Sequence, residues 1–231
     1  MGSRSVFVAI PPRKSPRLRW VTPLLVLLCC LSFAWMQGLP AQARREWLLA
    51  WGTLGITFAP GMDIGSTREW LRLLSGVFLH ADWSHLVGNL VFLMIFGLPA
   101  ERLMGSWRFL LLFLAGGIVA NLAAAISVGH GNVVIGASGA VSAVLGAWLV
   151  LFPRARLGVV LPLGLFLEFV RAPAALLIGL WALLQALFAW LGTSNGQVAW
   201  MAHLGGFGFG GMFALLSRQA IARRMRRLAG Y

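Results

Sequence analysis

The stretch VVIGASGAVSAVLGAWLVLF, residues 133–152, is apolar along its length except for a turn of small residues near its start. Ser138 lies in that turn, within the tetrapeptide GASG. A second apolar stretch, VAWMAHLGGFGFGGMFALLS at residues 198–217, carries His203 a little over one helical turn from its beginning. Polar groups are expensive to keep in a bilayer, so a serine and a histidine at similar depth indicate chemistry inside the membrane.

The composition indicates a membrane protein independently of these two residues. Hydrophobic residues make up 59% of the 231 positions and charged residues 11%. Apolar stretches that approach the roughly 20 residues needed to cross a bilayer recur along the chain. We therefore predict an all-α polytopic membrane protein, a bundle of six transmembrane helices. Its predicted spans are residues 21–36, 84–100, 107–127, 133–152, 173–192 and 198–217.

Arginine and lysine mark the cytoplasmic side of the bundle. They concentrate in a tail at residues 1–20, in a tail at residues 218–231, and in the links between spans 2 and 3 and spans 4 and 5. The long first loop, about residues 37–83, breaks the pattern, but its four arginines are balanced by two aspartates and two glutamates. The intervening links 3–4 and 5–6 have no arginine or lysine, so both tails are predicted to be cytoplasmic around a membrane domain at 21–217. The net charge of +13 then reflects topology and contact with anionic lipid rather than nucleic-acid binding.

The first apolar segment has a second interpretation. A basic stretch, an apolar run and then Ala41-Gln42-Ala43 resemble a cleavable signal peptide. The even number of spans favours retention of the segment, because it keeps both basic tails on one side. Cleavage would not invert the remaining helices, so the two interpretations stay open.

The predicted topology brings four polar residues to one side of the membrane. Spans 2, 4 and 6 all enter from the extracytoplasmic side, and His85, Asn89, Ser138 and His203 lie near their starts. Histidine is the usual base for a serine nucleophile. His85 and Asn89 share a helical face and, with the Ser138 N–H, could stabilise an oxyanion. No carboxylate lies at matching depth, which favours a Ser–His dyad.

Small residues on spans 4 and 6 allow these groups to approach one another. Ala202, Gly206 and Gly210 form a stripe on span 6, and small residues at 139, 142 and 146 form its counterpart on span 4. Stripes of this kind let transmembrane helices pack closely. We therefore expect spans 4 and 6 to be in direct contact.

Three motifs in this order resemble those of the rhomboid intramembrane serine proteases. They are HADWSHLVGN at 80–89, GASG at 136–139 and AHLGG at 202–206, and the resemblance covers residues 68–217. It implies that Ser138 is the nucleophile and His203 the general base. It also implies supporting roles for His85, Asn89, His80, Gly136 and Gly139. Glu101-Arg102 followed by Gly105 is similar to a further feature of the family.

Two positions depart from the family pattern. Trp70 and Arg72 are separated by Leu71 where the family usually has Trp directly before Arg, which leaves the docking of the first loop open. Ser142 stands where some members place an aromatic ring on the catalytic imidazole. The orientation of His203 is therefore also open.

The resemblance implies an intramembrane serine endopeptidase that uses no cofactor or metal and cleaves single-span membrane proteins. The usage of arginine over lysine favours a bacterial inner membrane, with the site opening to the extracytoplasmic side.

Other membrane proteases are excluded by inventory, because the chain lacks an HExxH motif, its two aspartates lie outside the spans, and its only lysine is Lys14. A catalytically silent client-binding relative and a small-solute transporter remain as alternatives. The apolar residues 157–170 are expected either at the membrane surface or near a substrate gate on span 5.

Overall fold

The computed structural model describes residues 19–55, 67–128, 131–163, 166–191 and 200–229. The N-terminal basic tail before residue 19 lies outside these ranges, as does His130 of the link between spans 3 and 4. The described part is mostly helical, as the sequence predicts. Its nine α-helices are α1 Val21–Gln37, α2 Ala41–Trp51, α3 Thr67–Ser75, α4 Trp83–Phe92, α5 Leu98–Met104, α6 Ser106–Ser127, α7 Ser138–Leu151, α8 Ala174–Trp190 and α9 Trp200–Ala229.

Two continuous helical segments are long and apolar enough to cross a membrane, among the described residues. They are Trp83–Met104, which joins α4 to α5, and α6. The apolar parts of α1, α7 and α8 are shorter, at 10–17 residues. Helix α9 is 30 residues long, but glycines lower the mean hydropathy of its first half, and its last turns are rich in arginine. The six-span count therefore stays a prediction.

A π-helical turn, Leu93–Gly97, connects α4 to α5. Pro99 follows it in the first turn of α5. Because proline has no N–H to donate to the carbonyl four residues earlier, the regular ladder cannot continue through this point. A wider turn is one way in which a helix accommodates such a break.

Helix α1 is fixed at its N-terminus by Glu101 of α5. The buried carboxylate accepts hydrogen bonds from the Val21 N–H at 3.1 Å and the Thr22 N–H at 2.9 Å. It also accepts from the hydroxyls of Thr22, at 2.8 Å, and Ser106, at 2.6 Å. The Val21 and Thr22 N–H groups belong to the first turn of α1, whose backbone donors have no partner within the helix. Glu101 thus joins the start of α1 to the junction of α5 and α6.

The core is formed by α6, α7 and α9, and every residue of α7 from Gly139 to Trp148 is buried. A β-carbon on Gly146 would meet the Phe207 carbonyl oxygen, and one on Gly210 would meet the Ala143 carbonyl oxygen. Only glycine permits such close approach of two helix backbones. The predicted contact between spans 4 and 6 is confirmed.

The first loop docks through Arg72. Its guanidinium donates to the carbonyl oxygens of Ala50, at 3.1 Å, and Leu49, at 2.9 Å, and pairs with Glu69 at 2.7 Å. These carbonyls lie in the last turn of α2, where a helix leaves acceptors without partners. Arg72 therefore ties α3 to α2 although Leu71 separates it from Trp70.

The apolar segment between α7 and α8 contains an antiparallel pair of strands, β3 Arg156–Leu163 and β4 Phe166–Pro173. Their register pairs Arg156 with Pro173 and Leu163 with Phe166. The expectation of an all-helical chain is wrong here, because valines and phenylalanines give the segment strand propensity. Arg156 and Arg171 lie towards the helix-proximal end of the pair, and Glu168 lies towards its other end. The placement of the pair in the membrane stays a prediction.

The C-terminal end of the chain differs in form from the predicted tail. Helix α9 continues past Ser217, the last residue of predicted span 6, as far as Ala229. Arginine is a good helix former, so a basic sequence without glycine or proline can prolong a transmembrane helix into water.

Candidate active site

Ser138 is held at the start of α7 by a short strand pair and a glycine turn. Strands β1 Thr53–Leu54 and β2 Val133–Val134 pair antiparallel, which fixes the chain just before the turn. The Gly136 N–H then donates to the Gly76 carbonyl at 2.8 Å, and Gly136 adopts a φ of +115°. The residues 133–137, predicted as the first turns of span 4, therefore lie outside the helix, because this backbone conformation suits glycine and interrupts a helix.

The Ser138 N–H, at the start of α7, has no backbone hydrogen-bond partner among the described residues. Ser138 is the first residue of α7. The N–H groups of the first helical turn have no carbonyl partner within the helix. The Ser138 N–H is therefore free to bind an oxygen atom that reaches this position.

His203 approaches Ser138 from α9. Its Nε2 atom lies 3.0 Å from the Ser138 Oγ atom, within hydrogen-bond distance. The approach depends on glycines, since a β-carbon on Gly206 would meet the Gly139 carbonyl oxygen. The structure thus brings together the serine and the histidine that the sequence singled out.

A residue that the sequence analysis missed holds the other side of the imidazole. The Gln185 Oε1 atom of α8 lies 2.7 Å from His203 Nδ1, and Gln185 is 7% exposed. The ring is also flanked by Trp181 and Trp200, whose ring centroids lie 6.0 and 6.1 Å from it. Gln185 is the sole amide in an otherwise apolar helix, which is the signal that could have identified it.

Ser142 does not orient the imidazole. Its hydroxyl donates to the Ser138 carbonyl oxygen at 2.6 Å, one turn back along α7. Serine commonly makes this bond inside helices. The imidazole of His203 is in contact with Trp181, Trp200 and Gln185 instead.

His85 and Asn89 of α4 converge over Gly136. A β-carbon there would lie 2.6 Å from the His85 Cε1 atom and 3.6 Å from the Asn89 Nδ2 atom. Asp82 caps α4 and accepts from the His85 N–H at 2.8 Å, which sets the start of the helix. Asn89 is 7% exposed, and its Nδ2 atom has no hydrogen-bond partner among the described residues. A buried donor of this kind is unfavourable unless an acceptor arrives.

His80 lies under the serine turn and is fully buried. Its Nδ1 atom lies 3.3 Å from the Phe78 carbonyl oxygen, and its Nε2 atom accepts from the Ala137 N–H at 3.5 Å. Its ring packs edge-on against that of His85, with centroids 5.2 Å apart. Burial, followed by the neighbouring His85, lowers the pKa of His80 to about 4. A neutral His80 thus fits both of its backbone partners.

The site contains the elements of acyl-transfer chemistry. A hydroxyl is hydrogen-bonded to an imidazole, and unpaired donors lie close by, as in enzymes that proceed through a covalent acyl intermediate. No cluster of three histidine, cysteine or carboxylate side chains that could hold a metal ion occurs within the described ranges.

A model of the rhomboid domain family matches residues 67–220. The protein YdcA of Bacillus subtilis strain 168, whose name places it among the rhomboid proteases, is 31% identical over 170 residues, which cover 72% of this chain and 76% of that one. The rhomboid protease GluP of the same organism is 34% identical over 128 residues, or 55% of this chain and 24% of its own. The rhomboid-type serine protease 2 of Emericella nidulans is 31% identical over 87 residues, or 38% of this chain and 17% of its own.

The chain belongs to the rhomboid family of intramembrane serine proteases. It is an integral membrane protein. It spans about three quarters of YdcA but about a quarter or less of the two other relatives.

Proposed function

We propose that the protein is an endopeptidase that hydrolyses peptide bonds in or near the transmembrane segments of other membrane proteins. Ser138 is the nucleophile and His203 the general base. The observation that carries the proposal is the 3.0 Å contact between Ser138 Oγ and His203 Nε2. The second ring nitrogen is already occupied by Gln185. The geometry therefore supports proton transfer from the hydroxyl to Nε2.

The reaction proceeds in two halves. Ser138 Oγ bonds to the substrate carbonyl carbon as His203 Nε2 takes the hydroxyl proton, and the same proton then goes to the leaving amine as the C–N bond breaks. A water molecule next gives a proton to His203 and attacks the acyl-enzyme. His203 then returns that proton to Ser138 Oγ as the bond between Oγ and the acyl carbon breaks, which releases the carboxylic acid and restores the hydroxyl. His203 thus acts as base and acid in each half.

Three donors stabilise the oxyanion in this proposal. They are the Ser138 N–H at the start of α7, the Asn89 amide and the His85 ring. The unpartnered Asn89 Nδ2 atom supports this role, because an oxyanion would supply the acceptor that it lacks. Loss of one such donor typically raises the barrier by about 3–4 kcal/mol.

The remaining predicted site residues support the turn. His80 accepts from the Ala137 N–H and packs against His85. Gly136 leaves room for His85 and Asn89, and Gly139 leaves room for α9. These contacts favour positioning roles for His80, Gly136 and Gly139.

We further propose six spans with both termini in the cytoplasm and a site that opens to the opposite side of a bacterial inner membrane. Paired single-cysteine variants test the orientation, in a background with Cys29 and Cys30 replaced by alanine. A membrane-impermeant maleimide added to intact cells is expected to label Asn132→Cys and to spare Arg223→Cys. The reverse result would overturn the orientation.

The substrates in this proposal are single-span membrane proteins with a locally unwound segment. A helix must open before its carbonyl carbon can be attacked, because its backbone groups are otherwise bonded to one another. Small or helix-destabilising residues near the cut lower the free energy of that opening.

Cleavage in liposomes tests the proposed function. A panel of labelled single-span substrates is incubated with the native protein, Ser138→Ala, His203→Ala and Ser142→Ala. We expect cleavage by the native protein and by Ser142→Ala, whose hydroxyl bonds only within the helix. Both other variants are expected to be inactive while folding normally. Cleavage that survives Ser138→Ala would show the mechanism to be wrong.

A fluorophosphonate probe separates an enzyme from a silent relative that only binds clients. The probe reacts with an activated serine, so it is expected to label the native protein and Ser142→Ala but not Ser138→Ala or His203→Ala. Substrate binding without labelling would instead support the client-binding alternative.

A further inference from the structure

The amide of Gln185 is buried in an apolar helix and bonds to the proposed base. Gln185 is 7% exposed, and its Oε1 atom lies 2.7 Å from His203 Nδ1. Burial of an amide is unfavourable without a partner. A side chain of this kind in a transmembrane helix indicates a function, and its one contact within the site is the imidazole.

We propose that Gln185 is a positioning residue that holds His203 in the tautomer with its proton on Nδ1. This inference rests on the proposed function of His203 as general base. A carbonyl oxygen accepts and cannot donate a hydrogen bond, so the nitrogen facing Gln185 Oε1 carries the proton. Nε2 then has a free lone pair directed at Ser138 Oγ, 3.0 Å away. The opposite tautomer would present an N–H to the hydroxyl and could not accept its proton.

A neutral amide suits this position in a membrane. In soluble serine proteases a buried aspartate performs the same task and stabilises the imidazolium. A carboxylate buried at membrane depth would be costly to keep ionised before the proton is transferred. Gln185 fixes the tautomer without adding a charge to the resting site.

Gln185 also connects a third helix to the reaction. Ser138 lies on α7, His203 on α9 and Gln185 on α8. The tautomer of the base therefore depends on the rotation of α8 about its own axis. A rotation by one residue, about 100°, would turn the amide away from the ring.

The test compares Gln185→Met with a matched control, Ile178→Ala. Methionine keeps the length and unbranched shape of glutamine and removes the amide. Ile178 is buried in the same helix, 3% exposed, two turns away, so its truncation loosens α8 and leaves the amide in place. Gln185→Met is expected to lower kcat by about 10- to 100-fold with little change in KM. This is less than the roughly 10⁴-fold loss in a soluble serine protease when asparagine replaces the aspartate partner and imposes the wrong tautomer. Ile178→Ala is expected to keep more than half of the native kcat.

Nitrogen-15 NMR of protein labelled at histidine shows directly which ring nitrogen of His203 carries the proton. The chain has four histidines, and comparison with His203→Ala identifies the signals of His203. At neutral pH we expect a protonated Nδ1 and a bare Nε2 in the native protein and in Ile178→Ala. In Gln185→Met we expect the Nε2–H form to increase. The native spectrum tests the proposal even if Gln185→Met does not fold.

Two results would show that Gln185 does not position His203, while leaving the proposed endopeptidase activity intact. One is an Nε2–H tautomer in the native protein, and the other is a native kcat in folded Gln185→Met. Failure of the proposed function has a different signature, since Ser138→Ala and His203→Ala would then cleave substrate. An equal loss of kcat in Gln185→Met and Ile178→Ala, with unchanged tautomers, would assign Gln185 a structural role only.

Discussion

Gly206 of α9 lies directly against the carbonyl oxygen of Gly139, the residue that follows Ser138. Backbone meets backbone at this point, so neither helix can yield by moving a side chain. His203 lies three residues before Gly206, almost one turn away on the same helix. The distance between Ser138 and His203 is therefore set by a contact that contains no side chain.

We predict that Gly206→Ala both destabilises the protein and inactivates it. The added β-carbon forces α9 away from α7, and overpacking of this kind costs about 1–3 kcal/mol. The same displacement lengthens the 3.0 Å contact between Ser138 and His203. Thermal unfolding in micelles and cleavage in liposomes measure the two effects. Gly208→Ala is the control, since nothing lies within 4 Å of its β-carbon position, and an equal loss there would contradict the explanation.

We predict that Gly136→Ala lowers kcat/KM by at least about 10²-fold, which is the effect expected when one oxyanion donor is lost. The β-carbon would displace the His85 ring and crowd the Asn89 amide. Backbone strain at the φ of +115° adds to the effect. The measurement is the initial rate of cleavage at subsaturating substrate.

Gly131→Ala separates these two causes. Gly131 also has a positive φ, +86°, but no atom of the described residues lies within 4 Å of its β-carbon position. Strain alone is therefore present in this variant, and near-native cleavage is expected. If Gly131→Ala loses as much activity as Gly136→Ala, strain rather than displacement of His85 explains both.

The parts of the site that were predictable are those that a local pattern determines. Ser138 in its GASG turn and His203 beside small residues can be recognised because glycines at such spacing indicate close helix contact. The role of Gln185 could not be predicted, because it depends on how α8 is rotated against α9. A lone amide in an apolar helix has many possible partners, and only the packed bundle selects the imidazole of His203.

In the fold, too, some features could be predicted from the sequence and others could not. Apolar length located the apolar helices but not α2 and α3. The start of α7 at Ser138 depends on the hydrogen bond from Gly136 to Gly76, which lies in a 3₁₀ turn 60 residues earlier, directly after α3. The pair β3 and β4 was missed because a short apolar run with valines and phenylalanines suits a buried helix and a strand alike.

We predict that Glu101→Gln destabilises the protein by about 3 kcal/mol, since hydrogen bonds to a charged group contribute about 1.5–3 kcal/mol each. The amide would present an N–H₂ group to donors, among them the Ser106 hydroxyl at 2.6 Å. Thermal unfolding in micelles measures the change. Glu46→Gln is the matched control, because Glu46 is exposed and accepts only from the Gln42 side chain at 3.1 Å. Equal stability of the two variants would contradict the anchoring role of Glu101.

We predict that acid destabilises the folded protein through His80. Burial, and then the nearby His85, lower the pKa of His80 from 6.5 to about 4. Below pH 6.5 the unfolded chain takes up a proton that the folded chain does not, so the free energy of unfolding falls with pH. The loss is progressive between about pH 6.5 and 4. A protonated Nε2 would also face the Ala137 N–H, donor against donor.

The variant His80→Asn tests the origin of that loss. Asparagine does not titrate, so the fall in Tm between pH 7 and pH 4.5 is expected to be smaller in the variant than in the native protein. Its Tm at pH 7 is expected to be lower, because the shorter side chain cannot reach both the Phe78 carbonyl and the Ala137 N–H. Acid-sensitive groups that do not interact with His80 are common to both proteins and cancel in the comparison. If both proteins lose the same Tm on acidification, the acid sensitivity arises from groups other than His80.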